Sequence, residues 1–249
     1  MKSSGISDAR LSQELGNIDL FKGIKMLKPE VEVIIPTLNE EKTIGSVIER
    51  TMFYADKVLV IDGRSKDSTV EFAEEKGARI KFQNGRGKGA ALKEAFDHVD
   101  NEIIIMLDGD GSMRPEEIPM FLKGIYSGAD IVKGSRFIGG GGSEDLSLLR
   151  RFGNTLFVVL VNTIWGSNFT DLCYGFMAFR KDAAKKLCPI LRSKGFNIET
   201  EILIKAKKMG LIIIEVPSLE LKRLFGKSKL NTFRDGFKIL LTILREIVT

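Results

Sequence analysis

The sequence predicts an α/β fold with a mostly parallel central sheet, flanked by helices and followed by a C-terminal amphipathic helix. Three observations support this prediction. Short apolar runs alternate with amphipathic stretches of helical length over 31–133, which is typical of consecutive β-α-β units. One of these runs, 103–107, contains no polar residue, as expected of a strand covered on both faces. The 249 residues are enough for one domain with a substantial core.

The first half of the chain supplies most of the predicted sheet. Apolar runs predict strands at 31–35, 57–61, 79–82, 103–107 and 131–133. Helices are expected at 39–54, 67–76, 88–98 and 115–126. Asn39 is expected to cap the first helix and Pro115 to begin the last, because these residue types favour those positions.

The second half is less regular. Four consecutive glycines at 139–142 predict a mobile loop, because glycine has little conformational preference. Apolar patterns predict helices at 148–165, 198–209 and 232–248, and strands at 172–179 and 211–216. The polar segment 1–28 has apolar residues at helical spacing and is expected to form a short amphipathic arm. No linker divides the rest, so 29–249 is predicted to be a single domain.

Composition excludes several classes of protein. The two cysteines, Cys173 and Cys188, are too few for a disulfide framework or a zinc site, so a reducing cytoplasm is the expected setting. There is no signal-peptide core, and no apolar run approaches the roughly 20 residues that span a bilayer. The net charge is +5, and seven basic residues stand against three acidic ones in 220–249. This basic tail predicts an anionic partner or a solvated helix face, and it lacks a motif that reads nucleic acid.

The candidate site begins at Asp108 and Asp110, which follow the buried run 103–107. Gly109 between them permits a sharp turn, and residues two apart on an extended segment point to the same side. Carboxylates placed this way suit Mg²⁺ or Mn²⁺ carrying a diphosphate, although a solvated turn would show the same pattern. Because ligands bind at the carboxyl ends of parallel strands, we expect the loops 36–40 and 62–67 to converge on the same cleft.

A glycine-rich segment at 85–89 resembles a phosphate-binding loop. It fails the P-loop pattern, since Phe82 replaces the first glycine and Gly89 the metal-binding hydroxyl residue. We expect its main-chain N–H groups and Lys88 to line a nucleotide pocket, with a plain helix start as the alternative.

The order of several segments resembles a known family. The segments 34–41, 60–69 and 108–110 resemble those of family 2 glycosyltransferases, which have the GT-A fold. The segments 134–137, 171–176, 196–201 and 226–230 resemble those of dolichyl- or polyprenyl-phosphate hexose synthases. The resemblance covers about 31–245, and it divides the domain into a nucleotide-binding half, 29–135, and an acceptor-binding half, 136–249.

The resemblance implies a hexosyltransferase that moves a sugar from a nucleotide sugar to dolichyl or polyprenyl phosphate with inversion, using Mg²⁺ or Mn²⁺. On the donor side it places Asp108 near the ribose and sugar and Asp110 on the metal, with Asp108 as a second metal contact. Its remaining nucleotide-binding residues are Pro36, Thr37, Glu40, Asp62, which would bind the base, and Lys88.

On the acceptor side the resemblance places Arg136 and one of Arg150 or Arg151 on the acceptor phosphate. Ser228 and Lys229 are assigned to the same phosphate. If the reaction uses a general base, Asp171 is the candidate, and a structural turn carboxylate is the alternative for this residue.

The chain departs from the family pattern at three positions. Gly63 replaces an acidic residue, Arg64 replaces a glycine, and Ser112 replaces a glutamine found in mannosyl members. The string 108–112 is closer to glucosyl members, so UDP-glucose is favoured over GDP-mannose as the donor type.

The partners remain open at several points. The helix at 148–165 and the C-terminal helix are expected to meet lipid or, alternatively, to pack on the domain or in a homo-oligomer. An enzyme lying on the inner face of the cytoplasmic membrane is therefore the leading interpretation. A soluble or glycan acceptor and a non-catalytic nucleotide-sugar-binding module are the alternatives.

Overall fold

The computed structural model describes residues 30–99, 101–223, 225–226 and 229–249. The arm predicted at 1–28 and the candidate acceptor residue Ser228 lie outside the described residues.

Strands and helices alternate through the described chain. The strands are β1 (Val31–Thr37), β2 (Lys57–Asp62), β3 (Arg79–Phe82), β4 (Ile103–Met106), β5 (Ile131–Ser135), β6 (Gly142–Ser143), β7 (Met177–Arg180), β8 (Ile213–Pro217) and β9 (Leu219–Glu220). The helices are α1 (Ile44–Thr51), α2 (Thr69–Glu75), α3 (Lys88–Phe96), α4 (Ile118–Tyr126), α5 (Leu148–Trp165), α6 (Lys181–Leu187), α7 (Ile198–Lys208) and α8 (Thr232–Ile247). Short 3₁₀ turns span Pro115–Glu117 and Cys188–Ile190.

The central sheet has the strand order β3-β2-β1-β4-β7-β5-β8. Strand β7 is antiparallel to both β4 and β5, and the other pairs are parallel. The predicted mostly parallel sheet is therefore confirmed. Because β7 is reversed, its amino end lies at the sheet edge where the parallel strands have their carboxyl ends. The segment that enters β7 thus reaches the same edge as the loops that leave β1, β2 and β4.

The core consists of two hydrophobic clusters, one on each face of the sheet. Ile34 and Ile104 belong to the cluster formed with α3, α6, α7 and α8. Val33 and Ile105 belong to the cluster formed with α1, α2 and α4. Successive residues of one strand point to opposite faces, so β4, which has helices on both faces, is apolar throughout, as the sequence indicated.

The loop after β1 differs from the prediction. Asn39 does not cap a helix: its φ is 53°, its side-chain oxygen accepts a hydrogen bond from Lys66 N at 2.8 Å, and α1 begins only at Ile44. The hydrogen bond of Asn39 instead joins the loop after β1 to the loop after β2. Pro36 also does not end β1, which continues to Thr37.

Two predictions for the second half are wrong in part. The strand expected at 172–179 begins only at Met177, because the preceding main chain bonds to side chains: Leu172 N donates to Asn154 and Cys173 N to Asp171. The glycine run predicted to be a loop ends in β6, whose Gly142 pairs with Leu219 of β9.

Candidate functional site

A polar cavity lies at the carboxyl ends of β1, β2 and β4, where the sequence predicted that loops converge. We call it the sheet-edge cavity, and its volume is about 840 Å³. Residues from all three loops line it, together with the start of α3: Pro36, Thr37, Glu40, Gly63, Arg64, Gln83, Lys88, Asp108 and Asp110.

A second cavity, of about 450 Å³, lies between α5 and α8. We call it the helix cavity. Its outer part is apolar and its inner end is charged; its lining includes Arg136, Arg150, Phe152, Tyr174, Glu199 and Phe237. Lys88, Asp108, Asp110 and Arg223 line both cavities, so the two spaces meet at the acidic pair.

Lys88 bridges two carboxylates at this meeting point. Its Nζ lies 2.6 Å from Asp108 Oδ1 and 2.9 Å from Glu199 Oε1. Burial would lower the pKa of Lys88, but the two carboxylates outweigh burial and raise the pKa above its ordinary value. Gly175 is required beside this cluster, since a Cβ there would lie 2.4 Å from Lys88 Nζ.

Burial raises the pKa of Asp108, and the charges of Asp110 and Glu199 add to the rise, whereas Lys88 opposes it. Three carboxylates, Asp108, Asp110 and Glu199, face two cationic groups, Lys88 and Arg223, so this cluster has an excess of one formal negative charge. Such a region attracts a cation.

Asp110 lies on the turn after β4 and faces Arg223. Its Oδ1 accepts a hydrogen bond from Ser112 N at 2.9 Å, which fixes the carboxylate, and its Oδ2 is ion-paired with Arg223 Nη2. The Nε of Arg223 is buried and has no partner among the described residues. Arg223 therefore places a positive charge on Asp110 from the loop after β9.

Asp62 lies behind the wall of the sheet-edge cavity. It is fully buried, and its oxygens accept hydrogen bonds from Thr37 Oγ1 at 2.9 Å, Ser65 N at 2.7 Å and Ser65 Oγ at 2.6 Å. These bonds hold the loops after β1 and β2 together. Asp62 does not line either cavity, whereas Pro36, Thr37 and Glu40 line the sheet-edge cavity.

Lys229 lies on the donor side. Its Nζ is 2.8 Å from Glu40 Oε1 and also contacts the Leu38 carbonyl oxygen. Lys229 lines the sheet-edge cavity, so the structure does not bring it together with the arginines of the helix cavity.

Arg136 is fixed at the inner end of the helix cavity. Its guanidinium donates to Asp171 Oδ2 at 2.7 Å and Oδ1 at 3.0 Å, and to Glu220 Oε2 at 3.0 Å. Burial would raise the pKa of Asp171, but Lys133 and Arg136 outweigh it and hold the pKa below its ordinary value. Asp171 is fully buried, and the cavity lining does not include it. This geometry favours the structural alternative for Asp171, namely a carboxylate that orients Arg136.

The structure separates Arg150 from Arg151. Arg150 lines the helix cavity and donates to the Leu230 carbonyl and to Thr232 Oγ1, both at 3.3 Å. The guanidinium of Arg151 lies 5.5 Å from the ring centre of Phe137, and that of Arg136 lies 5.8 Å from the same ring centre. Of the two residues on α5, Arg150 lines the helix cavity together with Arg136, and Arg151 does not line it.

The mouth of the helix cavity is surrounded by exposed apolar side chains. On α5 these include Leu149, Phe152 and Leu156, and on α8 Phe233 and Phe237, which are 78% and 61% exposed. None of the helices in the described chain is long and apolar enough to cross a membrane.

Two residues of the site were not predicted individually. Glu199 lies in a segment that carried the resemblance, and its Oε2 is buried without a partner in the described chain. Arg223 belongs to the basic tail, where one arginine could not be told from the others. A carboxylate in the first turn of α7, three residues after Phe196, was the only available signal for Glu199.

Known proteins share this fold. A glucosyl-3-phosphoglycerate synthase from Mycobacterium tuberculosis, crystallised with Mn²⁺, UDP and phosphoglyceric acid, superposes with a TM-score of 0.70 at 21% identity. The match covers 89% of this chain and 79% of that chain. The strand order with the reversed β7, together with this superposition, defines the GT-A fold.

Sequence comparison gives the family. The model of glycosyl transferase family 2 matches residues 32–188, and the chain belongs to this family. Glycosyltransferase AglJ of Haloferax volcanii is 36% identical over 221 residues, which cover 87% of this chain and 72% of that protein. The dolichyl-phosphate hexose transferase of the same organism is 32% identical over 213 residues, covering 84% and 90%. An undecaprenyl-phosphate mannosyltransferase of Micrococcus luteus is 27% identical over 213 residues, covering 81% and 87%.

Proposed function

We propose that this glycosyltransferase moves a hexose from a nucleotide sugar to a polyprenyl or dolichyl phosphate. The observation that carries the proposal is the meeting of two unlike cavities at Asp108 and Asp110. The polar sheet-edge cavity suits a nucleoside diphosphate. The helix cavity, with arginines at its inner end and an apolar mouth, suits a phosphate at the end of a long hydrocarbon chain. The names of two relatives, which act on dolichyl and undecaprenyl phosphate, support the same acceptor class.

Asp110 and Asp108 would hold a divalent cation. Mg²⁺ in nucleotide enzymes is bound by one or two carboxylates together with substrate phosphates, so an acidic pair fits. The described chain has no cluster of three Asp, Glu, His or Cys side chains that would form a complete metal centre, which agrees with a cation completed by the diphosphate. When bound, Mg²⁺ or Mn²⁺ would stabilise the charge that develops on the departing nucleoside diphosphate.

The acceptor phosphate would enter between Arg136 and Arg150. An oxygen of this phosphate forms a bond to the anomeric carbon, the bond from that carbon to the diphosphate breaks, and its electron pair leaves with the nucleoside diphosphate. The configuration at the anomeric carbon inverts. Guanidinium groups bind phosphate oxygens in a fixed fork, so the two arginines would hold one anion close to another.

The reaction does not require a strong general base. The second pKa of a phosphate ester is about 6, so the acceptor is already largely ionised near neutral pH. This agrees with the geometry of Asp171, whose oxygens are taken up by Arg136. We assign Asp171 to the orientation of Arg136.

The apolar faces of α5 and α8 would lie against the membrane that carries the acceptor. Both faces border the mouth of the helix cavity, and an exposed apolar helix face of this kind suits a lipid interface. A polyprenyl phosphate could then enter the cavity from the lipid layer without exposing its chain to water.

A transfer assay tests the proposal. Radiolabelled UDP-glucose or GDP-mannose is incubated with the protein and Mn²⁺, with and without a polyprenyl phosphate in vesicles. We expect label to enter the organic phase only when the lipid phosphate is present. Transfer of label to a water-soluble phosphate or glycan at equal or greater rate would instead favour a soluble acceptor.

A further inference from the structure

Two residues other than glycine have a positive φ in the described chain: Asn39, at 53°, and Arg64, at 65°. They lie in the loops that follow β1 and β2. This backbone conformation is unfavourable for residues with a Cβ, although asparagine tolerates it better than most. A residue held in such a conformation at a ligand cavity is a reason to look for a role in binding.

Asn39 has a structural reason for its conformation, and Arg64 does not. The side chain of Asn39 accepts a hydrogen bond from Lys66 N at 2.8 Å and so joins the two loops. The guanidinium of Arg64 has no hydrogen-bond or ion-pair partner among the described residues, and it lines the sheet-edge cavity. Nothing within the described fold therefore requires an arginine at this position.

The neighbours of Arg64 impose its conformation. Gly63 N donates to the Thr37 carbonyl at 2.9 Å, and Ser65 N donates to Asp62 Oδ1 at 2.7 Å. A glycine at position 64 would adopt the same conformation without strain. The chain has its glycine one residue earlier, at position 63, where a Cβ would lie 3.2 Å from the Thr37 carbonyl oxygen and 3.4 Å from Gln83 Oε1.

The space left by Gly63 borders the side-chain oxygen of Gln83, which also lines the cavity. The Nε2 of Gln83 donates to the Gly87 carbonyl at 2.8 Å, which fixes the orientation of the amide. Its Oε1 accepts no hydrogen bond from the described residues. The end of the cavity beside β2 and β3 thus offers one fixed acceptor, from Gln83, and one charged donor, from Arg64.

We propose that Gln83 and Arg64 read the nucleobase of the donor: Gln83 Oε1 accepts from a ring N–H, and Arg64 donates to the adjacent carbonyl oxygen. The inference rests on the proposed function, because it presumes a nucleotide in the sheet-edge cavity. Uracil and guanine each have a ring N–H next to a carbonyl group, whereas cytosine and adenine lack this pair. Asp62, which the family resemblance placed on the base, is behind the wall and holds the loop instead.

The test is calorimetric titration of the protein with Mn²⁺ and UDP, GDP, CDP or ADP. We expect UDP or GDP to bind at least about tenfold more tightly than CDP and ADP, since a site that pairs with polar groups rejects a ligand that leaves them unpaired. The 3-methyl derivative of UDP, which lacks the ring N–H, should lose a similar factor if UDP is the preferred ligand. Equal affinity for all four nucleotides would overturn the proposal.

The variant Arg64→Gly isolates the arginine. We expect its affinity for the preferred nucleotide to fall about tenfold, the typical value of one charged hydrogen bond. Its affinity for inorganic pyrophosphate with Mn²⁺ should stay within about twofold of that of the unaltered protein, because pyrophosphate has no base. The matched control Lys66→Gly removes a basic side chain from the same loop that does not line either cavity, and it should leave both affinities unchanged.

Two results would decide against the assignment. Unchanged nucleotide affinity in Arg64→Gly would overturn it, and so would an equal loss for pyrophosphate, which would make Arg64 a phosphate contact. The unfolding temperature of Arg64→Gly should not fall, because glycine adopts a positive φ without strain. If it does fall, the variant Arg64→Lys, which keeps the positive charge but lacks the planar guanidinium, serves instead. Arg64→Lys should bind the nucleotide more weakly than the unaltered protein does and bind pyrophosphate equally well. Failure of the unaltered protein to bind either UDP or GDP would contradict the proposed function itself.

Discussion

The two cavities that meet at Asp108 are built in different ways. Loops that follow parallel strands form the sheet-edge cavity, and hydrogen bonds join these loops, as between Asn39 and Lys66 and between Glu40 N and Thr69 Oγ1. Two helices form the helix cavity, and apolar side chains at its mouth are exposed. A hydrogen-bonded frame suits a small polar ligand of fixed shape, and an open apolar mouth suits a long flexible chain. Under the proposed function, donor and acceptor would therefore be recognised by separate physical means.

The largest effect is expected from Asp110→Asn, at the junction of the cavities. The amide cannot supply the negative charge that a divalent cation requires, so we expect transfer to fall by about a hundredfold or more. The rate is measured as label transferred to lipid under saturating substrates. Asp182→Asn, an exposed change at the start of α6, is the control. If Asp110→Asn transferred label at the rate of the unaltered protein, the proposed role of the acidic pair in metal binding between the two cavities would be contradicted.

The next largest effect is expected from Arg136→Lys, which separates acceptor chemistry from donor binding. Lysine keeps the positive charge that Asp171 needs but loses the fork, so we expect kcat to fall about ten- to a hundredfold. The affinity for the nucleotide sugar, measured by calorimetry, should change by less than about twofold because Arg136 does not line the sheet-edge cavity. An equal loss in both measurements would contradict the separation.

Arg150→Ala and Arg151→Ala form a matched pair on adjacent positions of α5. We expect Arg150→Ala to raise the KM for the lipid phosphate about tenfold, the effect of one charge-assisted hydrogen bond. Arg151→Ala should leave this KM close to that of the unaltered protein, because its side chain lies outside the cavity lining. The opposite order of effects would reverse the choice between the two arginines.

A smaller effect, on membrane binding alone, is expected from the double change Phe233→Ser and Phe237→Ser. Each phenylalanine would contribute about 1 kcal/mol of partial burial in the lipid interface, so vesicle affinity should fall about thirtyfold in the double variant. Co-sedimentation with anionic vesicles measures this, with Phe53→Ser as the control, since Phe53 is 79% exposed away from both cavities. Transfer to a short-chain acceptor in detergent should be largely retained. Unchanged vesicle binding would indicate that the apolar face of α8 contacts a partner other than the membrane.

The donor half of the site was more predictable than the acceptor half. Asp108 could be predicted to lie at the sheet edge because it follows a strand, and a strand end fixes its position in space. Thr37 and Glu40 were assigned from the family resemblance, and both line the same cavity as Asp108. Arg136 is paired with Asp171 and Glu220, which come from two other segments of the chain. No local pattern relates Glu220 to Arg136, and only the fold shows that they are in contact.

The errors have physical causes of the same kind. Asn39 has the residue type of a helix cap, but tertiary hydrogen bonds with the next loop compete for its side chain. The assignment of Lys229 to the acceptor phosphate, which the family resemblance implied, stays a prediction, and in the folded chain Lys229 is paired with Glu40. A short polar motif indicates which interactions a side chain can make, and long-range contacts determine which partners it has in the fold.

Lys88 belongs to the walls of both cavities, and its ammonium group is shared between Asp108 on one side and Glu199 on the other. A ligand in the sheet-edge cavity that contacts Asp108 would change how strongly the ammonium group of Lys88 interacts with Glu199. Binding of a donor at Asp108 would thus affect Glu199 through the ammonium group of Lys88 alone, without displacement of the main chain. We therefore expect substrates to add in a compulsory sequence, with the sugar nucleotide first and the lipid second.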